Sequence, residues 1–296
     1  NILFQNQGID SEGIPHFKDI AEFAGVTEPY YSFPTWFWDY DNDGLEDIFV
    51  AGYRADIGDV AAEFLSVPHS AEIPRLFRNN GDGTFQNITV DIGLDRILYA
   101  MGCNFGDLDN DGSLDFYVGT GDPDFRLLIP NRIFKNVSGI FQEVTTSGGF
   151  GHLQKGHGVA FADFDNDGDQ DVYAVMGGAY SGDRAANVLF ENPGTEFNWI
   201  KLNLRGVQSN RMGVGARIII DLGDRQIYSR VSLGASFGGN PYRCEIGVGL
   251  VERIDHLRVE WPSGIVQQFD DIATKKNYTI EEGGELTTQR LLTWSD

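Results

Sequence analysis

Three stretches of nine residues carry the side chains that could do chemistry: DYDNDGLED at 39–47, DLDNDGSLD at 107–115 and DFDNDGDQD at 163–171. Each reads D-x-D-N-D-G-x-x-D. Carboxylates this close repel one another, so a chain that repeats them needs a cation at each copy. Calcium fits, because it takes six to eight oxygens and alternate side chains of a tightly turned loop can converge on one ion. Positions one, three, five and nine would give carboxylates, and position seven a backbone carbonyl. The expected ligands are Asp39, Asp41, Asp43, the Leu45 carbonyl and Asp47 in the first loop. In the second they are Asp107, Asp109, Asp111, the Ser113 carbonyl and Asp115, and in the third Asp163, Asp165, Asp167, the Asp169 carbonyl and Asp171. Three Ca2+ sites follow, with metal binding coupled to folding. Gly44, Gly112 and Gly168 stand where the chain must reverse, so positive φ is expected there.

The rival readings are weaker. An EF-hand loop needs a bidentate Glu at position twelve and helices on both flanks. Position twelve is Val50, Val118 and Ala174, and the flanks alternate like strands. Magnesium prefers a smaller octahedral shell and keeps its waters. Solvated turns would explain one copy, but not one ligand pattern three times over.

The elements that hold the loops are strands. PTWFW, MGCNFG and GVAFA precede the three copies, and IFVAGY, FYVGTG and VYAVMGG follow them, all with period-two character. A second motif recurs between the loops: RLFRNNGDGTFQNIT (75–89), RIFKNVSGIFQEVT (132–145) and VLFENPGTEFNWI (188–200). ILFQNQG (2–8) with FKDIAEFAGV (17–26) is the same element without its upstream half. One repeat is therefore about 60 residues of some four strands. The stretch 54–74 is longer than a repeat needs and suits a short helix, and 121–130 is a smaller insertion at the corresponding place. After Glu196 the acidic loops stop, and short strands separated by Gly, Asn or Pro read as a compact β module.

The loops with their flanks, FGDLDNDGSLDFYVGTG and FADFDNDGDQDVYAVMGG, resemble FG-GAP/VCBS repeats, the calcium-loop blades of integrin-α-type β-propellers. The resemblance covers about residues 1–195 and implies blades around a common axis, usually seven. This chain holds about three and a half, so it departs from the family there. NWIKLNLRG (198–206), SNRMGVGARI (209–218), VSLGASFGGN (231–240) and VEWPSG (259–264) are similar to the ASPIC/UnbV domain. That domain follows FG-GAP repeats in cartilage-acidic-protein-like secreted proteins, and the resemblance offers no catalytic residues. The expected architecture is all-β: propeller blades over 1–197 with the first incomplete, an ASPIC/UnbV β domain over 198–285 and a tail over 286–296.

Composition narrows the partners. The formal charge is −22, from 44 acidic and 22 basic residues. Nucleic acid, which needs clustered Lys and Arg, is excluded as a partner. No apolar run is long enough for membrane insertion. Cys103 and Cys244 lack metal-ligand spacing and read as two buried free thiols. Ser236 in GASFG fits a hydrolase nucleophile elbow on paper, yet GGNPY follows where a helix should start, so a turn is expected. The five histidines show no paired metal-ligand spacing, and His157 reads as a packing residue. Trp36 and Trp38 are read with one against a sheet and the other exposed, either as core or as a stacking platform for sugar or peptide. N-x-S/T sequons lie at Asn87, Asn136 and Asn277.

With every clustered carboxylate assigned to metal, the leading expectation is a calcium-stabilised scaffold that recognises a protein or glycan. It would be secreted or exposed at the cell surface, with a periplasmic location as the bacterial equivalent. An enzyme is the less favoured reading and would need an axial pocket with uncommitted His, Tyr or Arg. The other alternative is an assembly protein, a homo-oligomer or one with missing upstream blades, whose partial propeller is completed by further chain.

Overall fold

The computed structural model describes residues 1–121, 129–178, 180–234 and 236–289. It begins with an antiparallel hairpin, β1 (Phe4–Ile9) and β2 (Pro15–Asp19), and a one-turn helix α1 (Ala21–Ala24). The first full sheet is β3 (Ser32–Trp38), β4 (Asp47–Gly52), β5 (Arg75–Asn79) and β6 (Phe85–Asn87), with helix α2 (Ile57–Phe64) in the long insertion. The second is β7 (Ala100–Gly106), β8 (Asp115–Thr120), β9 (Arg132–Val137) and β10 (Ile140–Glu143). The third is β11 (Gly156–Ala162), β12 (Asp171–Met176) and β13 (Val188–Phe190). Within each sheet the strands pair antiparallel in sequence order, as in propeller blades. Each acidic loop is the turn between the first and second strand of its blade.

Aromatic burial holds the first and second blades together. Trp38 stacks on Phe141 at 5.8 Å, Trp36 lies 5.7 Å from Phe105 and Phe49 lies 5.2 Å from Phe116. Both tryptophans are buried, which corrects the expectation that one is exposed. Residues two apart on a strand share a face, so the pair enters the core together. The second and third blades approach through glycine: a Cβ on Gly102 would lie 1.8 Å from the His157 carbonyl oxygen. The leading strands β7 and β11 thereby run nearly backbone to backbone.

The C-terminal module has two four-stranded sheets. One is ordered β17-β14-β20-β21 and the other β16-β15-β18-β19. Their strands are β14 (Asn198–Arg205), β15 (Arg217–Asp221), β16 (Gln226–Arg230), β17 (Cys244–Gly249), β18 (Arg253–Glu260), β19 (Val266–Ala273), β20 (Lys276–Glu281) and β21 (Leu286–Gln289). β14 and β20 pair in parallel. Ile200, Leu202, Ile218, Val248, Leu257 and Trp261 fill the core between the sheets. Four residues of the stretch read as a tail, Leu286–Gln289, are thus a paired strand. The third blade has three strands where four were expected, because the residues after β13 run straight into β14. No described helix is long and apolar enough to cross a membrane.

Between β16 and β17 a segment leaves the module and lies along the leading strands of the blades. Cys103 and Ser236 exchange backbone hydrogen bonds of 3.1 and 3.2 Å, and Val159 N–H donates to the Phe237 carbonyl at 2.8 Å. The Phe237 ring stacks 5.2 Å from Phe33. Asn240 accepts from the Asn104 amide and the Phe161 N–H and donates to the Phe105 carbonyl. No helix follows Ser236 among the described residues, as expected of a turn.

Candidate metal centres

The loops share one local construction. In the first, Asp39 accepts from Asp43 N–H at 3.0 Å and Gly44 N–H at 2.8 Å. Asp107 does the same with Asp111 and Gly112, and Asp163 accepts from Gly168 N–H at 2.8 Å. Gly44, Gly112 and Gly168 have φ of 86°, 90° and 115°, as expected. The Asn at position four is also left-handed, with φ of 55°, 60° and 65° at Asn42, Asn110 and Asn166. Asn tolerates that region better than most residues.

These turns gather the carboxylates. Ligand atoms of Asp39, Asp41 and Asp43 lie within 4.8 Å of one another, as do those of Asp107, Asp109 and Asp115 and those of Asp163, Asp165 and Asp167. The position-nine residues also act as struts. Asp47, Asp115 and Asp171 each accept from the N–H of an Asn at the end of the blade's third strand or just past it: Asn79, Asn136 and Asn192. Their second oxygens take the N–H of Tyr40, Leu108 and Phe164.

Oxygens remain that nothing satisfies. Asp41 Oδ1, Asp109 Oδ1, Asp163 Oδ1 and Asp169 Oδ1 are buried without a hydrogen-bond partner. A buried carboxylate oxygen in that state is costly unless a cation approaches it. Burial, reinforced by neighbouring carboxylates, pushes Asp39 and Asp169 up to about 7 and Asp47 and Asp107 up to about 8. Burial holds Asp115 far above the usual carboxylate range as well. An all-oxygen donor set with buried, unpartnered oxygens suits a hard divalent cation, and each of the three clusters could hold one.

Several functional residues escaped the sequence reading. Asn42 donates to the Gly112 carbonyl at 2.8 Å and Asn110 to the Gly168 carbonyl at 3.2 Å, linking each loop to the next. Asn136 and Asn192 reach back to the Tyr40 and Leu108 carbonyls of the preceding loop. The repeated N at position four of the motif was the available signal.

The module also seats on all three loops through basic residues. Arg217 donates to the Gly44 carbonyl at 3.1 Å, Arg230 pairs with Glu46 at 2.8 Å and Arg225 donates to the Asp111 carbonyl at 2.7 Å. Arg243 donates to the Asp163 carbonyl at 3.3 Å, and Lys201 forms an ion pair with Asp163 Oδ2 in which both side chains are buried. Only long-range pairing brings these together, so no local spacing could reveal them. A cavity of about 90 Å3 between loops and module is lined by Trp38, Asp107, Leu114, Ile227, Arg230 and Glu245 among others.

The remaining candidates are structural. His157 Nε2 lies 2.7 Å from the Gly177 carbonyl oxygen. Cys103 is buried, Cys244 is partly buried, and both thiols are free. Asn136 and Asn277 are buried, which leaves Asn87 as the accessible sequon. Residues 122–128 of the smaller insertion and Ala235 of GASFG lie outside the described residues.

Comparison with known proteins agrees with this division. The FG-GAP-like repeat family matches residues 39–118, across the first two acidic loops, and the ASPIC and UnbV family matches residues 206–287. The chain is 25% identical over 300 residues to cartilage acidic protein 1 of Mus musculus, an alignment covering 95% of this chain and 41% of that protein. It thus spans about two fifths of the relative's length. The chain therefore joins FG-GAP-like repeats to an ASPIC and UnbV domain, in that order, as the resemblance in its sequence implied.

Proposed function

We propose that this chain is a calcium-stabilised, extracellular recognition scaffold, in which three Ca2+ ions brace the acidic loops and the exposed blade loops bind a protein or glycan. The orphaned buried oxygens of Asp41, Asp109 and Asp163 carry the calcium reading, one in each loop. The ligands are Asp39, Asp41, Asp43, Asp47 and their counterparts, with the carbonyls of Leu45, Ser113 and Asp169 completing each shell. Calcium supplies charge neutralisation there and no chemistry. Similarity to a protein named for cartilage, an extracellular tissue, supports secretion or cell-surface exposure, with adhesion as the matching role. The segment around Ser236–Asn240 covers the leading strands β7 and β11 and spends its polar groups on them, which favours the scaffold over an enzyme.

The test is thermal melting of chelator-stripped protein with and without added calcium, followed by glycan and protein arrays. Calcium should raise the melting temperature by several degrees, since 1 kcal/mol shifts a chain of this size by about 2–4 °C. An unchanged melt overturns the calcium reading, and silent arrays with calcium-loaded protein overturn recognition.

One observation favours a second reading, completion of the propeller by further chain. Phe4 of β1 is 61% exposed, while Phe77 and Phe134, its counterparts in β5 and β9, are buried. An inner strand pair, from another copy or from further repeats, would cover β1 as β4 covers β5. Solution mass distinguishes the two: a dimer supports completion in trans.

A further inference from the structure

The three loops share a ligand pattern but differ in what stands beside it. The residue just before the Asn that braces each position-nine Asp is Arg78 in the first blade, Lys135 in the second and Glu191 in the third. Arg78 lies 3.0 Å from Asp41 Oδ2 and 3.2 Å from Asp43 Oδ2. Lys135 forms a close ion pair with Asp109 Oδ2. Glu191 instead shares a pocket with Asp165 and Asp171. A fixed cation on a ligating oxygen repels an incoming divalent ion at short range, and a carboxylate in its place attracts one.

The third loop is richer in acid for a second reason. Its position seven is Asp169, where the other loops have Leu45 and Ser113. Asp163 and Asp169 are both more than nine-tenths buried and each keeps one oxygen without a partner. These two orphans point to an ion independently of the acid count. Among the described residues Lys201 is the cation paired with a third-loop carboxylate, at Asp163 Oδ2, and it offsets one charge where Asp169 and Glu191 add two.

Resting on the calcium reading above, we propose that loop 163–171 is the tightest of the three calcium sites, and that the Arg78, Lys135 and Glu191 position sets the ranking. The repeats then form a graded array rather than three equal sites. The third loop fills at calcium concentrations that leave the first two mostly empty, and it lies against the C-terminal module.

The full chain, stripped with chelator, is titrated with Ca2+ by calorimetry and with Tb3+ by luminescence. Trp199 packs on Gly168, where a Cβ would lie 1.8 Å from the indole nitrogen, so an ion in the third loop has a nearby sensitiser. One site at least tenfold tighter than the others is expected, a difference of about 1.4 kcal/mol. Glu191→Lys should bring that site into the range of the other two, and Lys135→Glu should tighten a second site. The first Tb3+ bound should lose most of its sensitised emission in Trp199→Phe. Because Lys135→Glu predicts a gain, misfolding cannot mimic it, and circular dichroism of Glu191→Lys in saturating calcium checks that its fold is intact. Three equal sites, or a tight site unchanged by Glu191→Lys, overturns the ranking and leaves the calcium reading standing. No uptake by any variant overturns both.

Discussion

Asn42 donates its side-chain amide to the carbonyl of Gly112, 70 residues further on, at 2.8 Å, and so fastens the first acidic loop to the turning point of the second. Its Oδ1 accepts from the Tyr228 N–H at 3.1 Å, so the same side chain also touches the module. Asn42→Ala removes both bonds and places Ala at φ 55°. A loss of about 2–3 kcal/mol in urea unfolding is expected from the hydrogen bonds and the left-handed backbone together. Asn42→Gly should recover only the backbone share. Equal losses for the two variants would mean that conformation contributes nothing.

Proton linkage gives a second prediction. Without calcium, Asp39 and Asp169 are pushed up to about 7 and Asp47 and Asp107 up to about 8, against an ordinary value of 3.8. Groups raised in the fold contribute stability that is complete below the ordinary value and lost as pH rises through the folded value. Calcium-free protein should therefore weaken from about pH 4 to about pH 8, a window in which many proteins are most stable. Calcium needs the ionised carboxylates, so binding at pH 7 should expel protons. Calorimetric titrations in two buffers of different ionisation enthalpy measure this directly. Buffer-independent heats would refute it.

Much of this was legible because the relevant contacts are local. Asp39 to Asp47 is one hairpin turn, so spacing alone showed that Asp39, Asp41 and Asp43 gather, and alternation placed the strands around them. Asn198–Arg205 carried two readings, since NWIKLNLRG also reads as the first strand of the C-terminal module. The third copy of the repeat motif ends in FNWI, which by analogy with β6 and β10 should close a blade. Those residues instead start β14 and pair with β17 and β20, because a nonlocal sheet offers more partners than an edge position. The basic residues on the loops were illegible for a related reason: Arg217 and Gly44 are 173 residues apart, and charge composition does not show where a positive side chain lands.

Trp38 tests the packing that holds the loops. It is 2% exposed and its ring lies within 6.4 Å of those of Trp36, Tyr40, Phe49, Phe105, Phe116 and Phe141. Asp39 follows it directly, so a cavity at Trp38 also loosens the first ligand of the first loop. Trp38→Ala should cost about 3–5 kcal/mol. Calcium stoichiometry should fall from three to two before the fold is lost, which native mass spectrometry would resolve. A loss of stability with all three ions retained would separate the core from the metal site.

Lys201 and Asp163 form the ion pair that joins module to blade beneath the third loop, with side chains 1% and 0% exposed. Burial pulls the Lys201 ammonium down to about 8, and its nitrogen lies 4.6 Å from the centre of the Trp199 ring. Lys201→Met keeps the stem and removes the charge, which strands Asp163 in the calcium-free protein. Breaking one side of a buried pair costs about 3–5 kcal/mol when nothing replaces the lost partner. Calcium in the third loop would replace it, since Asp163 Oδ1 is already free to face the ion. The substitution should therefore destabilise strongly without calcium and only slightly with it, and paired urea melts give that difference as a double-difference energy. An equal loss in both conditions would show that Lys201 acts by packing against Trp199, and that metal and module do not share Asp163.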